Sequence, residues 1–152
     1  MSLSRRHMLM LALATPALAL IAPRATAQTA RVYAEDGIAI DGSDAVAYFD
    51  GNGPVPGDQA ITHDYMGATW RFSTEANRAA FAANPAAYAP QYGGYCAYAV
   101  SQGYTASTVP EAWSLVDGKL YLNFSTGVRG RWERDIPGHI AAANANWPGV
   151  LE

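Results

Sequence analysis

Cys96, His63 and Asp44 lie far apart in the sequence, but their side chains could act together chemically. Cys96 is the only cysteine of the chain, so it cannot form an internal disulfide. A thiolate and an imidazole are ligands that copper, zinc and iron accept, and a carboxylate can complete the set. The residues therefore predict a transition-metal site of His63, Cys96 and Asp44, with Asp64 or a tyrosine as the alternative third ligand, provided that the fold brings them together.

Cys96 leaves other interpretations open. An adjacent imidazole lowers the pKa of a thiol and activates it as a nucleophile, so a cysteine-dependent enzyme using Cys96 is an alternative. A hydrolase would also need an orienting group and an oxyanion donor. The amides of Gly93 and Gly94 could serve as donors, but nothing in the sequence marks the arrangement, and we expect a non-enzymatic protein. The plainest interpretation is that Cys96 and His63 are buried, with the thiol acting as a small apolar group.

An unusual density of tyrosines surrounds the cysteine. Tyr92, Tyr95 and Tyr98 lie around Gly93 and Gly94, where the glycines let the backbone bend or approach another segment closely. The segment predicts a pocket for a flat or cationic ligand. An aromatic core is the competing interpretation, and a protein-interaction module with an exposed aromatic surface is a third.

Strands and helices that would position these residues can be read from turns and caps. The first half predicts a hairpin bending at Gly67, then a capped helix that a proline ends. The second half repeats this plan with Asp117-Gly118, a pair typical of a type I′ turn. The predicted elements are strands 61–65, 68–72, 113–116 and 119–123, and helices 74–83, 85–88, 125–134 and 137–146.

The two halves match at a constant offset of 51 residues. The matched pairs are Gly67 and Gly118, Trp70 and Tyr121, Arg78 and Arg129, and Phe81 and Trp132. The pattern favours one α+β domain built on a small hairpin-plus-helix unit. One interpretation is that the unit is duplicated, and the other is that any two hairpin-plus-helix units would align this well.

The stretch 70–88 carries three motifs in succession: a strand end Trp-x-Phe, a helix Asn-Arg-x-x-Phe and an exit Asn-Pro-x-x-Tyr. Asp44-x-Val46 and His63-x-Tyr65 precede them. In these motifs the chain resembles the YHS domain family. The resemblance is close over residues 43–90. It implies a bacterial exported protein that carries this domain in residues 28–152, an accessory to a metal-handling or oxidoreductase system.

The family's metal-type members carry cysteines that this chain lacks. On this sequence those cysteines would fall on Ala47, Ser73 and Asn77. A site of several thiolates therefore cannot form where the resemblance would place it. The resemblance implies the fold, while a bound copper, zinc or iron would need other ligands.

The first 27 residues read as an export signal. Arg5 and Arg6 precede an apolar run, and Ala25-Thr26-Ala27 fits a cleavage site, which predicts a cleaved twin-arginine signal and a periplasmic protein. The apolar run is too short and too interrupted by proline to predict a membrane anchor.

Charge limits the partners of residues 28–152. Seven of the ten basic residues and all thirteen acidic residues lie there, which gives a net charge of −6. Nucleic acid is excluded as an expected partner because phosphate binding needs a basic face. We expect a monomer or weak dimer that binds a metal or a small ligand.

Overall fold

The computed structural model describes residues 28–152 as a single mixed α+β domain. The predicted signal peptide, residues 1–27, lies outside the described residues. The strands are β1 (Ala34–Glu35), β2 (Ile38–Ala39), β3 (Asp58–Tyr65), β4 (Ala68–Phe72), β5 (Trp113–Val116) and β6 (Lys119–Leu122). The α-helices are α1 (Glu75–Ala83), α2 (Pro85–Tyr88), α3 (Ala97–Ser101), α4 (Thr126–Trp132) and α5 (Ile136–Asn146).

The first hairpin forms where the sequence predicts it. Met66 and Gly67 both have positive φ, 49° and 80°, the geometry of a tight type I′ turn. The turn pairs Tyr65 with Ala68 and gives β4 an alternating pattern that buries Trp70 and Phe72. β3 begins at Asp58 rather than at the predicted residue 61, because a register shift lets Asp58 pair with Phe72. Strands β1 and β2 extend this sheet in the order β1-β2-β4-β3, with β2 parallel to β4.

Helix α1 packs an aromatic residue against that hairpin. Thr74 caps it by accepting a hydrogen bond from the Asn77 N–H at 3.1 Å, which satisfies one of the free donors of the first turn. Phe81 is fully buried, with its ring centroid 5.0 Å from Trp70 and 5.1 Å from Phe72. The predicted helix 74–83 is thus confirmed, and Pro85 opens the short helix α2 as expected.

The second half repeats these features at the predicted offset. Asp117 and Gly118 have φ of 51° and 73°, and they join β5 to β6. Ser125 caps α4 by accepting from the Val128 N–H at 3.1 Å. Tyr121 and Trp132 lie 5.2 Å apart with their rings inclined by 36°, which matches the 5.0 Å and 33° of Trp70 and Phe81.

Equivalence between the halves also extends upstream of the hairpins, beyond what the sequence pattern predicts. Residues 40–42 and 92–94 each place three successive residues at positive φ. Asp44 N–H then donates to the Val55 carbonyl at 2.8 Å, and Cys96 N–H donates to the Ala106 carbonyl at 3.0 Å. Equivalent residues are 52 positions apart from 40–42 to Asp44, and they are 51 positions apart again at Val55 and Ala106. Asp44 in the first half therefore corresponds to Cys96 in the second.

Two apolar clusters form the core. The first lies under the four-stranded sheet and contains Tyr48, Trp70, Phe72 and Phe81. The second contains Tyr92, Tyr95, Tyr121 and Trp132, and it gains its cover from α5, which runs eleven residues where α2 runs four. No helix within residues 28–152 has the length and apolar character needed to cross a membrane.

Candidate functional site

Asp44 is the centre of a closed polar junction in the first half. Its Oδ2 accepts from the Ser73 N–H at 2.8 Å, the Ser73 hydroxyl at 2.6 Å and Asn77 Nδ2 at 2.8 Å. Its Oδ1 accepts from the Val46 and Ala47 N–H groups at 2.9 and 3.2 Å. The residue is completely buried. Because five donors surround the carboxylate, we call these residues the Asp44 junction, and they join the turn before residue 47 to the start of α1.

The positions at which the resemblance would place cysteines meet at this carboxylate. Ala47, Ser73 and Asn77 each donate a hydrogen bond to Asp44. They are therefore neighbours in space, as ligands of one ion would be, but they offer a backbone amide, a hydroxyl and a side-chain amide in place of thiolates. Here an internal hydrogen-bond network fills the position.

Cys96 holds the equivalent place in the second half. The Phe124 N–H donates to Cys96 Sγ at 3.3 Å, just as the Ser73 N–H, 51 residues earlier, donates to Asp44. The thiol in turn lies 3.5 Å from Asn123 Oδ1, which also accepts from the Tyr98 N–H at 3.0 Å. We call this set the Cys96 junction, and it joins the start of α3 to the strand–helix connection before α4.

Burial controls the chemistry of this thiol. Cys96 is 1% exposed, and desolvation raises its pKa, opposed in part by hydrogen bonds from the backbone of Ala99, Phe124 and Tyr98. The neutral thiol is therefore favoured over the thiolate, which is the form that attacks substrates and binds metals. Asn123 Nδ2 is also buried and finds no acceptor among the described residues.

Apolar side chains in the Cys96 junction replace the polar ones of the Asp44 junction. Phe124 stands where Ser73 stands in the first half, and Val128 where Asn77 stands. Neither can donate a side-chain hydrogen bond to Cys96. In the first half the side chains of Ser73 and Asn77 close the space beside Asp44 by donating hydrogen bonds to it. In the second half no such side-chain hydrogen bonds close the space beside Cys96.

A pocket of about 270 Å³ opens at this place. We call it the Cys96 pocket. Two of its walls are aromatic side chains that are about half exposed, Tyr104 at 52% and Phe124 at 51%, so aromatic surface borders the opening of the pocket. The residues that line it are Cys96, Tyr98, Ala99, Tyr104, Ala106, Phe124, Val128 and Arg131.

The predicted metal ligands are not gathered in the structure. His63 lies on β3, and its ring packs 6.1 Å from that of Phe81, whereas Asp44 and Cys96 occupy the two separate junctions. Within residues 28–152, no three histidine, cysteine, aspartate or glutamate side chains form a group able to hold a metal ion. Metal binding by the chain stays a prediction.

The predicted ligand-pocket residues divide among different environments. Tyr98 lines the Cys96 pocket, whereas Tyr92 and Gly93 line a separate cavity of about 290 Å³ between the halves. Tyr95 is buried and donates its hydroxyl to the Ala30 carbonyl at 2.8 Å. Gly94 is buried with φ of 85°, where a Cβ would meet the Ile40 side chain at 2.6 Å. Much of the tyrosine segment therefore serves as core, the competing interpretation.

The lining residues that the predicted sites do not include are Ala99, Tyr104, Ala106, Phe124, Val128 and Arg131. A signal for two of them was present in the repeat. Applying the offset of 51 to Ser73 and Asn77, the positions that the resemblance marks, gives Phe124 and Val128. The offset alone could not show that these positions face a pocket rather than solvent.

Comparisons of the chain with protein-family models, with curated proteins and with solved structures found no match. The resemblance to the YHS domain thus stays a prediction.

Proposed function

We propose that this protein binds a small organic ligand in the Cys96 pocket and acts as an accessory module rather than as an enzyme. The observation that carries the proposal is the pocket itself, open at the position where the first half is closed by Ser73 and Asn77. The predicted export to the periplasm and the predicted association with a metal-handling or oxidoreductase system are kept as parts of the proposal.

The lining favours a carbon skeleton as the occupant. Tyr104, Phe124 and Val128 offer apolar surface, and burying such surface stabilises a complex by about 25 cal/mol per Å². A metal ion would instead need several donor atoms, and the lining offers one thiol and two tyrosine hydroxyls. Two aromatic walls suit a ligand that itself carries a ring, since offset or edge-to-face ring pairs add to the burial.

The raised pKa of Cys96 favours binding over catalysis. A thiol nucleophile works as the thiolate, and a neighbouring base or cation normally lowers its pKa. His63 packs against Phe81 in the other half, so it does not supply that base. Cys96 serves instead as a neutral, polarizable wall of the pocket.

A neutral aromatic probe tests the proposal. We expect 3-phenylpropanamide, titrated into ¹⁵N-labelled protein, to shift the amide resonances of Ala99, Ala106 and Phe124 saturably. The affinity expected for a ligand of this size is on the order of 1 mM. Ala106→Leu narrows the pocket and should weaken binding at least fivefold.

Ala82→Leu is the matched control. Ala82 is exposed on α1 and outside the Cys96 pocket, so the same substitution there should leave the affinity unchanged. Shifts that do not saturate, or that persist unaltered in Ala106→Leu, would refute the proposal.

A further inference from the structure

Arg131 gives the Cys96 pocket its only charge. The other seven lining residues are apolar, aromatic or carry a neutral thiol, and Arg131 lies on α4 with its side chain exposed. The ion pairs found within residues 28–152 are Arg78 with Glu75 and Arg129 with Glu133. In the described part of the chain, Arg131 is therefore a cation without an acidic partner.

The neighbouring arginines differ from Arg131 in their contacts. Arg129 donates to Glu133 at 2.8 Å and to the Ser114 hydroxyl at 3.2 Å, so it is held against β5. Arg134 is exposed in the turn after α4 and does not line the pocket. One guanidinium is thus placed at the Cys96 pocket and left free to bind.

We infer that the ligand is an amphipathic anion, a small molecule with an apolar or aromatic body and one carboxylate or sulfonate group. The body lies between Tyr104 and Phe124 with its inner end towards Cys96, and the anionic group pairs with Arg131. This inference rests on the proposed function of the same pocket.

The net charge of the domain opposes an anion at long range, so a cation is needed locally at the pocket. Residues 28–152 carry a net charge of −6, so their long-range field disfavours an approaching anion. A cation at the mouth of an apolar pocket offsets that repulsion locally. The planar guanidinium also matches a carboxylate or sulfonate with two parallel hydrogen bonds, which an ammonium group cannot do.

Three probes of nearly the same shape test the inference. These are 3-phenylpropionate, 3-phenylpropanamide and 3-phenylpropylamine, each titrated into the wild-type protein at low salt and followed by the amide resonances of the pocket. We expect the anion to bind about three- to fivefold more tightly than the amide, the upper part of the range of an exposed ion pair, and the amine to bind more weakly than either.

Two arginine variants form the matched pair. In Arg131→Gln the preference for the anion over the amide should be lost. In Arg134→Gln, which removes the same charge one turn away, the preference for the anion should persist. Raising the salt concentration should reduce the preference for the anion both in the wild type and in Arg134→Gln, whereas Arg131→Gln has no such preference to reduce.

The outcomes separate the two proposals. If the anion and the amide bind equally to the wild type, or if Arg131→Gln keeps the preference, the inference is wrong while the proposed function stands. If none of the three probes shifts the pocket resonances, the proposed function itself fails.

Discussion

The Asp44 junction and the Cys96 junction occupy the same place in two halves of similar backbone, yet one is closed and the other is open. Both receive an N–H from the residue before a helix N-cap, Ser73 or Phe124, at 2.8 and 3.3 Å. In the first half the polar side chains of Ser73 and Asn77 complete the contact. In the second half Phe124 and Val128 turn the same space into an apolar pocket.

This difference shows how one buried position can have different requirements in the two copies of a repeated unit. A buried carboxylate must have its hydrogen bonds satisfied, or its burial costs several kcal/mol. A thiol needs few hydrogen bonds and packs as a small apolar group. In the second half a cysteine, Cys96, occupies the position that Asp44 has in the first. This position therefore needs no polar neighbours, and a pocket can form beside it.

Removing the carboxylate should have the largest effect on stability. Asp44→Ala leaves the donors of Ser73, Asn77 and the preceding turn without an acceptor, and we expect a loss of about 3–5 kcal/mol. Urea denaturation measures it. The exposed Asp50, which ends the short 3-10 helix Ala47–Asp50 just after the Asp44 junction, gives the control Asp50→Ala, which should change stability by less than about 0.5 kcal/mol.

Removing the thiol should cost clearly less. Cys96→Ala deprives the Phe124 N–H of one weak acceptor and leaves a small void, so we expect a loss of about 1–2 kcal/mol. Cys96→Ser, which keeps an acceptor, should lose less than Cys96→Ala in the same urea experiment. A loss in Cys96→Ala equal to that of Asp44→Ala would break the distinction between the two junctions.

Alkaline pH should lower the stability of the first half through Tyr48. The equivalent residue of the second half is Val100, which does not titrate. Burial raises the pKa of Tyr48 to about 12, with a smaller opposing effect of its hydrogen bond to Ser43. The stabilisation that this group contributes is complete below its unfolded pKa of about 10 and is lost as the pH rises towards about 12.

The expected loss from Tyr48 is about 1 kcal/mol between pH 8 and pH 11. It is measured as the difference between the wild type and Tyr48→Phe in urea, since other buried tyrosines and Cys96 titrate in both proteins. Equal pH dependence in the two proteins would show that Tyr48 does not titrate at the raised pKa.

Local signals made the hairpins and helices predictable. Met66-Gly67 and Asp117-Gly118 form their turns because a glycine accepts positive φ at little cost. Thr74 and Ser125 cap the helices that follow because their hydroxyls satisfy free amide donors. These interactions join residues close in sequence, so the sequence alone indicates them. The offset of 51 between the halves can also be read from the sequence, because it is the spacing between matching residues.

The tertiary structure alone decided which side chains meet. Nothing local to Asp44 shows that Ser73 and Asn77, about 30 residues away, will donate to it, and nothing local to Cys96 selects Phe124 rather than His63 as its neighbour. Such contacts arise from packing between segments that are distant in the chain. The sequence by itself therefore determined the elements and their repetition, whereas the folded chain decided that Asp44 is enclosed and that Cys96 borders a pocket.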